Sequence, residues 1–254
     1  MQSIQKPYKV YTLRNFRQIP QLENRLSEAD KRAIEVVGHV LPFKVNNYVV
    51  EELINWDELP EDPIFQLTFP QRGMLVDEHF HAMEQALSSG NTPAEYKRVA
   101  NRIRLELNPH PAGQQHNVPE LDGVKLTGIQ HKYRETVLFF PSNGQTCHAY
   151  CTFCFRWPQF VGMEELKFAM RQSELLVEYL RRHPEVTDVL FTGGDPMVMS
   201  AKNFAAYIEP LLEARLPHLR SIRIGTKSLS YWPYKYLTDR DADDLLRLFE
   251  RIVK

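Results

Sequence analysis

The residues with the clearest chemical potential are the three cysteines of the chain, which all lie in the stretch CHAYCTFC. They are Cys147, Cys151 and Cys154, and the sequence of 254 residues contains no others. Packing alone does not explain this cluster, because a buried cysteine behaves as a small hydrophobic residue and can occupy any strand or helix. Thiolates that share one metal ion or cluster must instead lie close together on a loop. The stretch is therefore predicted to bind a metal.

Three thiolates fill three positions of a tetrahedral site. The fourth position is then filled by another ligand or stays open for a reacting molecule. Zinc with His148 as fourth ligand is one interpretation, although structural zinc loops usually draw CxxC pairs from two places and this sequence has one. An iron–sulfur cluster is another, and inert thiols are the third. The spacing CxxxCxxC, with the aromatic Phe153 before the last cysteine, is typical of radical S-adenosylmethionine (SAM) enzymes. An odd number of cysteines at short spacings disfavours a disulfide.

Composition narrows the class of protein. Hydrophobic residues make up 43% and charged residues 25%, and 31 basic against 32 acidic side chains give a formal charge of −1. This balance gives no reason to expect a nucleic-acid or membrane partner. No apolar run reaches the roughly 20 residues that span a bilayer, and the first residues lack the apolar core of a signal peptide. We expect a reducing, cytoplasmic setting, which suits an oxygen-sensitive cluster.

The amino-terminal part reads as mostly helical. Ser27 is a predicted helix cap, and apolar residues recur at helical spacing after it. Further helices are predicted at the following positions: 49–54, 77–87 and 92–105. Residues 108–130 are rich in Pro, Gly and Asn, which predicts a long linker. We therefore expect a helical region with its linker over residues 1–130 and a second domain over residues 131–254.

Strands and helices alternate after the linker. Runs of β-branched and aromatic residues predict strands, and amphipathic stretches predict helices between them. In order, these are strand 136–140, helix 163–182, strand 187–191, helix 201–214, strand 220–224 and helix 239–253. Such alternation favours parallel strands and right-handed crossovers, as in the opening of a TIM-type barrel. The cysteine loop, the GGD sequence and the GTKS sequence follow the three strands, at the ends where such barrels place their sites.

Several stretches together resemble one known family. They are HKYRETVLFFPSNGQTCHAYCTFCFRW, DVLFTGGDP and SIRIGTKS, with DPIFQLTFPQ and HNVPELDG upstream. The sequence is similar to the KamA family of radical SAM proteins, the lysine 2,3-aminomutase-like proteins, from about Ser27 to the end. The resemblance implies an α/β fold, a partial radical SAM (TIM-type) βα barrel with a mostly helical amino-terminal region.

The resemblance also implies roles for the cysteines. Cys147, Cys151 and Cys154 would hold three irons of a 4Fe-4S cluster, and the fourth iron would bind the amino and carboxylate groups of SAM. An electron from a flavodoxin- or ferredoxin-type donor would pass through the cluster and cleave SAM to methionine and a 5′-deoxyadenosyl radical. We therefore expect a radical SAM enzyme with a 4Fe-4S cluster and SAM as cofactors.

Four further positions match the SAM contacts of the family. Phe153 would pack near the adenine. Gly193, Gly194 and Asp195 would meet the methionine end of SAM. The chemistry agrees, because glycines let a backbone come close and a carboxylate accepts hydrogen bonds from an ammonium group.

Substrate and second-cofactor positions are implied in the same way. Arg156 matches the arginine that binds the substrate carboxylate, a task that suits a guanidinium fork. Lys132 and Tyr133 match positions near the phosphate of pyridoxal phosphate (PLP), which would assist a 1,2-amino shift. The implied protein is an isomerase of the 2,3-aminomutase type that acts on an amino acid and forms homo-oligomers. Thr226 and Lys227 also follow a predicted strand, without an assigned role.

The sequence departs from the family in two respects. It ends after the third strand–helix unit, so the carboxy-terminal half of the barrel is expected to be missing, either because the chain is a fragment or because it is a short form that pairs with another chain. The loop CTFCFRW also carries aromatic residues where the lysine enzyme has basic ones. A different radical reaction on an amino acid, a cluster-bearing but inactive protein and a zinc-binding module without catalysis are the alternatives.

Overall fold

A computed structural model of the protein describes residues 6–107 and 116–253. These residues form two compact units. The helical unit comprises, among the described residues, 8–107 and 149–164. The sheet unit comprises 6–7, 116–148 and 165–253. This division differs from a single boundary near residue 130, because the chain returns to the helical unit in the second half of the cysteine loop.

The helical unit consists mainly of helices joined by short loops. Its helices and strands are β1 (Val10–Tyr11), α1 (Glu28–Val40), β2 (Val45–Asn46), α2 (Pro63–Thr68), α3 (Asp77–Ser88) and α4 (Pro93–Leu107). The predicted cap of α1 is confirmed. The hydroxyl of Ser27 accepts a hydrogen bond from the nitrogen of Asp30 at 3.1 Å, and the Asp30 carboxylate accepts one from the nitrogen of Ser27 at 3.3 Å. This reciprocal pair satisfies two amide groups that a helix start leaves without partners.

Helices α1, α3 and α4 share one apolar core. Val37, Met83 and Ile103 are fully buried in it. The carboxyl end of α1 is closed by Arg104 of α4, whose guanidinium donates to the carbonyl oxygen of Val40 at 2.7 Å and to that of His39 at 2.8 Å. Helix ends leave carbonyl groups without partners, and a cation is favoured there. Burial lowers the pKa of Arg104 to about 10.

The sheet unit alternates strands with helices. Its elements are β3 (Glu120–Leu121), β4 (Val124–Lys125), β5 (Ile129–Tyr133), β6 (Thr136–Phe139), α5 (Ser173–Arg182), β7 (Asp188–Phe191), α6 (Ala201–Glu213), β8 (Ser221–Ile224), α7 (Ser228–Tyr231), α8 (Tyr234–Leu237) and α9 (Ala242–Val253). The main sheet has the order β5-β6-β7-β8. Strands β6, β7 and β8 are parallel and in register, so the three predicted strands are confirmed.

The core of this unit lies between the sheet and its helices. Phe139 and Phe191 are fully buried, and their rings meet edge to face at 5.2 Å. Leu176 of α5, Phe204 of α6 and Leu245 of α9 complete the same cluster. Helices of this kind bury their apolar stripe against a parallel sheet, which is the layered arrangement of α/β proteins.

The predicted helix over residues 163–182 is wrong in its first half, since α5 begins at Ser173. The nitrogen of Met170 donates to the carbonyl oxygen of Phe140 at 2.8 Å, and the carbonyl of Met170 accepts from the nitrogen of Ser142 at 3.0 Å. Gly128 makes room for this pairing, because its φ is +119° and a Cβ there would lie 2.5 Å from the carbonyl carbon of Ala169. A long-range backbone pairing therefore replaces the local helical pattern.

The predicted linker also contains structure. Residues 108–115 lie outside the described residues, but residues 116–130 form the antiparallel pair β3–β4 and the start of β5. Strand β5 runs antiparallel to β6. None of the helices in the described part of the chain combines the length and the apolar character needed to cross a bilayer.

Candidate functional site

Three loops meet where β6, β7 and β8 end. The residues after β6 lead to Thr146 and Cys147, those after β7 contain the GGD sequence, and those after β8 contain Thr226. The nitrogen of Asp195 donates to the carbonyl oxygen of Thr146 at 2.7 Å, and the hydroxyl of Thr226 donates to the Asp195 carboxylate at 2.6 Å. Hydrogen bonds thus join the three strand exits, as the parallel pairing predicts.

The two glycines of the GGD sequence have a steric reason in the structure. A Cβ on Gly194 would lie 2.5 Å from the nitrogen of Thr146 and 2.6 Å from the carbonyl oxygen of Gly144. Gly193 has a φ of +118°, and a Cβ there would meet the side chain of Gln145 at 2.7 Å. Only glycine fits this close approach without displacing backbone. The GGD loop therefore supports the backbone that carries Cys147.

Asp195 is almost completely buried, with 3% of its surface exposed. Its carboxylate accepts hydrogen bonds from the nitrogen of Met197 at 2.9 Å and from the nitrogen of Lys227 at 2.8 Å, in addition to the one from Thr226. A buried carboxylate is stable only when such donors surround it. The sequence pattern did not predict the bonds from Thr226 and Lys227, because they join residues 31 and 32 positions apart.

A chain of hydroxyl groups extends from Thr226, which sequence reasoning left without a role. The hydroxyl oxygens of Thr226 and Ser228 are 2.7 Å apart, and those of Ser228 and Tyr236 are 2.5 Å apart. Ser228 is fully buried. Burial raises the pKa of Tyr236, the bond with Ser228 lowers it, and the charge of Asp195 raises it again, so that the net direction is upward. The sequence pattern had singled out Thr226, but not Ser228 or Tyr236.

The second half of the cysteine loop is fixed within the helical unit. The nitrogen of Tyr150 donates to the carbonyl oxygen of Lys44 at 2.9 Å, and the nitrogen of Thr152 donates to that of Leu67 at 2.8 Å. Cys151 is thus held between two anchored neighbours. A turn bond of 3.1 Å from the nitrogen of Cys154 to the carbonyl oxygen of Cys151 then fixes the spacing of these two cysteines.

A cavity of about 360 Å³ lies beside these cysteines in the helical unit. Its lining comes from the cysteine loop and from nearby loops and helix ends, and none of the described residues that line it is charged: Leu41, Pro42, Thr68, Pro70, Met74, Leu107, Tyr150, Cys151, Thr152, Phe153, Cys154, Phe155 and Trp157. Trp157 also packs against the helical core. Phe153 and Phe155 are 74% and 65% exposed.

Arg156 lies two residues after the last cysteine, Cys154. Its guanidinium carbon lies 4.9 Å from the ring centroid of Phe155, a stacking arrangement that arginine favours. Burial lowers the pKa of Arg156, and the nearby thiol of Cys154 raises it in part. Arginine side chains in proteins stay protonated, and a partly desolvated cation attracts an anion more strongly than one in water.

The three cysteines are of a residue type that can bind a metal cluster, because their thiolates are soft donors. All three are partly buried, with Cys147 in the sheet unit and Cys151 and Cys154 in the helical unit. No three His, Cys, Asp or Glu side chains within residues 6–107 and 116–253 are grouped so that they could hold a metal ion, with the buried His148 included. Soft thiolates suit iron–sulfur clusters and zinc. Their role as ligands stays a prediction.

Lys132 and Tyr133 lie at the other end of the sheet. Tyr133 pairs with Thr136, the first residue of β6, whereas Ile129 pairs with Phe139 at the carboxyl end. Four residues of strand separate the two ends by about 10 Å. Both side chains are exposed. The structure does not bring them to the GGD loop, and their contact with a PLP phosphate stays a prediction.

Fold and site together define an α/β protein with a parallel sheet, whose strand-exit loops adjoin a three-cysteine motif. No model of a known protein family matches the chain. Curated relatives do match. A protein of Aquifex aeolicus, provisionally named an L-lysine 2,3-aminomutase, is 32% identical over 225 residues, which is 89% of this chain and 48% of that protein.

Two relatives carry the name L-lysine 2,3-aminomutase outright. The protein of Acetoanaerobium sticklandii is 30% identical over 131 residues, 52% of this chain and 30% of its own. That of Bacillus subtilis is 32% identical over 114 residues, 45% of this chain and 23% of its own. The chain belongs to the KamA-like family of lysine 2,3-aminomutase relatives. It spans about half the length of the curated relatives it matches.

Proposed function

We propose that this chain is the SAM-cleaving part of a radical SAM protein of the aminomutase type. The observation that supports it most is the meeting of the three strand exits at Asp195, because it joins the residue before Cys147, the GGD loop and Thr226 at one edge of a parallel sheet. This is the edge at which βα barrels place their sites. Three parallel strands with their helices correspond to the opening of such a barrel.

Cys147, Cys151 and Cys154 would hold the 4Fe-4S cluster. The bound cluster would supply the electron that cleaves SAM, received from a flavodoxin- or ferredoxin-type donor. Each unit fixes the backbone near one of the cysteines. The GGD loop supports the backbone before Cys147, and the anchored residues Tyr150 and Thr152 hold Cys151. Such support of the neighbouring backbone orients metal ligands and tunes their affinity.

The groups around SAM follow from the same loops. Gly193 and Gly194 would lie along its methionine end, where a backbone without side chains permits close contact. Phe153 would pack against the adenine, since its exposed ring borders an uncharged cavity and aromatic rings stack on bases.

Arg156 would bind the carboxylate of an amino acid substrate. Its guanidinium is partly buried and stacked on Phe155, so its orientation is limited before a substrate arrives. The reaction that we propose is a 1,2-amino shift assisted by PLP, in a homo-oligomeric protein.

The proposal is tested by SAM cleavage. The protein is assembled with iron and sulfide without oxygen, reduced with dithionite and supplied with SAM. We expect 5′-deoxyadenosine and methionine from the wild type and none from Cys151→Ala, because loss of one thiolate removes a cluster ligand.

His148→Ala is the matched control. It should keep both the iron and the cleavage if His148 is not a ligand. A wild-type protein that binds zinc and loses it in His148→Ala, without any SAM cleavage, would instead establish the zinc-binding module.

A further inference from the structure

The carboxylate of Asp195 is occupied by the protein itself. A carboxylate has about four acceptor positions. One oxygen of Asp195 accepts from the nitrogen of Met197 and the hydroxyl of Thr226, and the other accepts from the nitrogen of Lys227. With 3% of the residue exposed, little of this carboxylate is accessible to an ammonium group from outside. The side chain of Asp195 is therefore poorly placed to contact SAM directly.

The hydroxyl chain has a fixed direction. A carboxylate only accepts, so the Thr226 hydroxyl donates to Asp195. The Ser228 hydroxyl must then donate to Thr226, and the Tyr236 hydroxyl must donate to Ser228. Three successive donors end at one buried carboxylate, and such chains strengthen each member through polarisation. The helix α8 that carries Tyr236 is thereby linked to the three strand exits.

We propose that Asp195 is a positioning residue that locks the three strand-exit loops together, and that Thr226 is its main side-chain partner. The proposal rests on the proposed function, because the loops it locks are those assigned to SAM and to the first cysteine ligand. Asp195 acts through its neighbours. Its nitrogen holds Thr146, the residue before Cys147, and its carboxylate holds Thr226 and the backbone of Lys227.

Thr226→Val separates positioning from direct contact. It removes the hydroxyl and preserves the carboxylate of Asp195 and the shape of the side chain. We expect SAM binding by the assembled protein to weaken about tenfold, the effect of one lost hydrogen bond to a charged group. Thr226→Ser keeps the hydroxyl and should bind SAM within about twofold of the wild type. Equilibrium dialysis measures both affinities.

Amide hydrogen exchange measures how firmly the strand-exit loops are held, and the measurement needs no SAM. In Thr226→Val and in Asp195→Asn, we expect faster exchange in the segment 225–228, because each variant loses a bond between the Asp195 carboxylate and this loop. The segment 28–40 of the helical unit should exchange as in the wild type. The urea midpoint of Thr226→Val should fall at least as far as that of Tyr236→Phe, because the Thr226 hydroxyl bonds a buried carboxylate. The unchanged exchange of segment 28–40 then separates a local effect from general unfolding.

Two results would overturn the proposal. The first is a Thr226→Val protein with wild-type exchange and wild-type SAM affinity, whatever the behaviour of Asp195→Asn. If Asp195→Asn alone then lost SAM binding, the carboxylate would be a direct ligand. The second is a loss of SAM affinity in Thr226→Val that Thr226→Ser, which keeps the hydroxyl, does not restore. If the wild type itself fails to bind SAM, the proposed function fails, and the exchange measurements still decide whether Asp195 locks the loops.

Discussion

Two aspartates tie the same three strands together, one at each end of β7. At the amino end, the carboxylate of Asp188 accepts from the hydroxyl of Thr136 on β6 at 2.9 Å and from Arg223 on β8. At the carboxyl end, Asp195 joins the loops that follow the same strands. The first uses a half-exposed arginine, and the second uses backbone amides and a hydroxyl in a buried setting.

The two ends of β7 differ in the charge of the groups that bond each aspartate and in how tightly those groups fix the neighbouring backbone. An ion pair with an exposed arginine contributes little energy, because solvent and salt screen it. Backbone amides have few degrees of freedom, so bonds to them fix the position of a loop. The glycines beside Asp195 add close contact with residues 144–146. We therefore interpret the amino end as a stabilising contact and the carboxyl end as the site.

The largest effect is expected from Gly194→Ala at the carboxyl end. Its Cβ would lie 2.5 Å from the backbone nitrogen of Thr146, so backbone must move. We expect a loss of about 3 kcal/mol in the free energy of unfolding, measured by urea denaturation, and reduced iron retention. Gly225→Ala is the control, since its nearest neighbour, the carbonyl oxygen of Phe191, would be 3.4 Å away. Equal midpoints for the two variants would remove the steric reason for the glycine.

Asp188→Asn should have a smaller effect, and one that depends on pH. Burial raises the pKa of Asp188, but the hydrogen bonds from Arg223 and Thr136 outweigh it and hold the pKa below its usual value. A depressed pKa in the folded state gives stability that is present above the unfolded pKa, near 4, and is lost as pH falls through the folded value. We expect a loss of about 1 to 2 kcal/mol at pH 7 that shrinks towards pH 3.

Urea midpoints at pH 7 and at pH 3 measure this difference. Asp244→Asn is the control, because Asp244 pairs with Arg247 on the surface with 69% of its side chain exposed. Surface pairs contribute little. If the stability difference between the wild type and Asp188→Asn stayed constant or grew at low pH, the lowered pKa of Asp188 would be contradicted.

The smallest effect is expected from Tyr236→Phe. It removes the outermost donor of the hydroxyl chain and leaves Ser228 and Thr226 bonded to each other. We expect a cost of about 1 kcal/mol and a SAM affinity within about twofold of the wild type. A loss of SAM affinity larger than that of Thr226→Val would place the important group at Tyr236 instead of Asp195.

The sequence predicted helices and strands correctly where the pattern of neighbouring residues determines the local structure. The runs around Val137, Val189 and Ile222 predicted three strands that the structure confirms, and Ser27 with Asp30 predicted the start of α1. The predictions failed where residues distant in sequence bond to a segment and override its local pattern. Residues 163–172 have a helical pattern, yet the backbone of Met170 pairs with that of Phe140 and Ser142. Strand β5 was missed because its turn to β6, Arg134-Glu135, lacks the glycine or asparagine that marks a hairpin.

The candidate site was predictable in part. The cysteine spacing and the GGD sequence were visible, because each is local. The partners of Asp195 were not, since Thr146 and Thr226 lie far from it in sequence and meet it only when parallel strands align. The steric need for Gly194 was hidden for the same reason. Its contact is with a backbone segment from another loop, which composition and periodicity do not report.

Metal analysis after oxygen-free assembly tests the central claim most directly. Iron, acid-labile sulfide and zinc are counted per chain in the wild type and in Cys147→Ala. We expect about four iron and four sulfide per wild-type chain and a clear loss of both in the variant, because three thiolates hold one 4Fe-4S cluster. One zinc per chain without sulfide, or iron that is unchanged in Cys147→Ala, would contradict it.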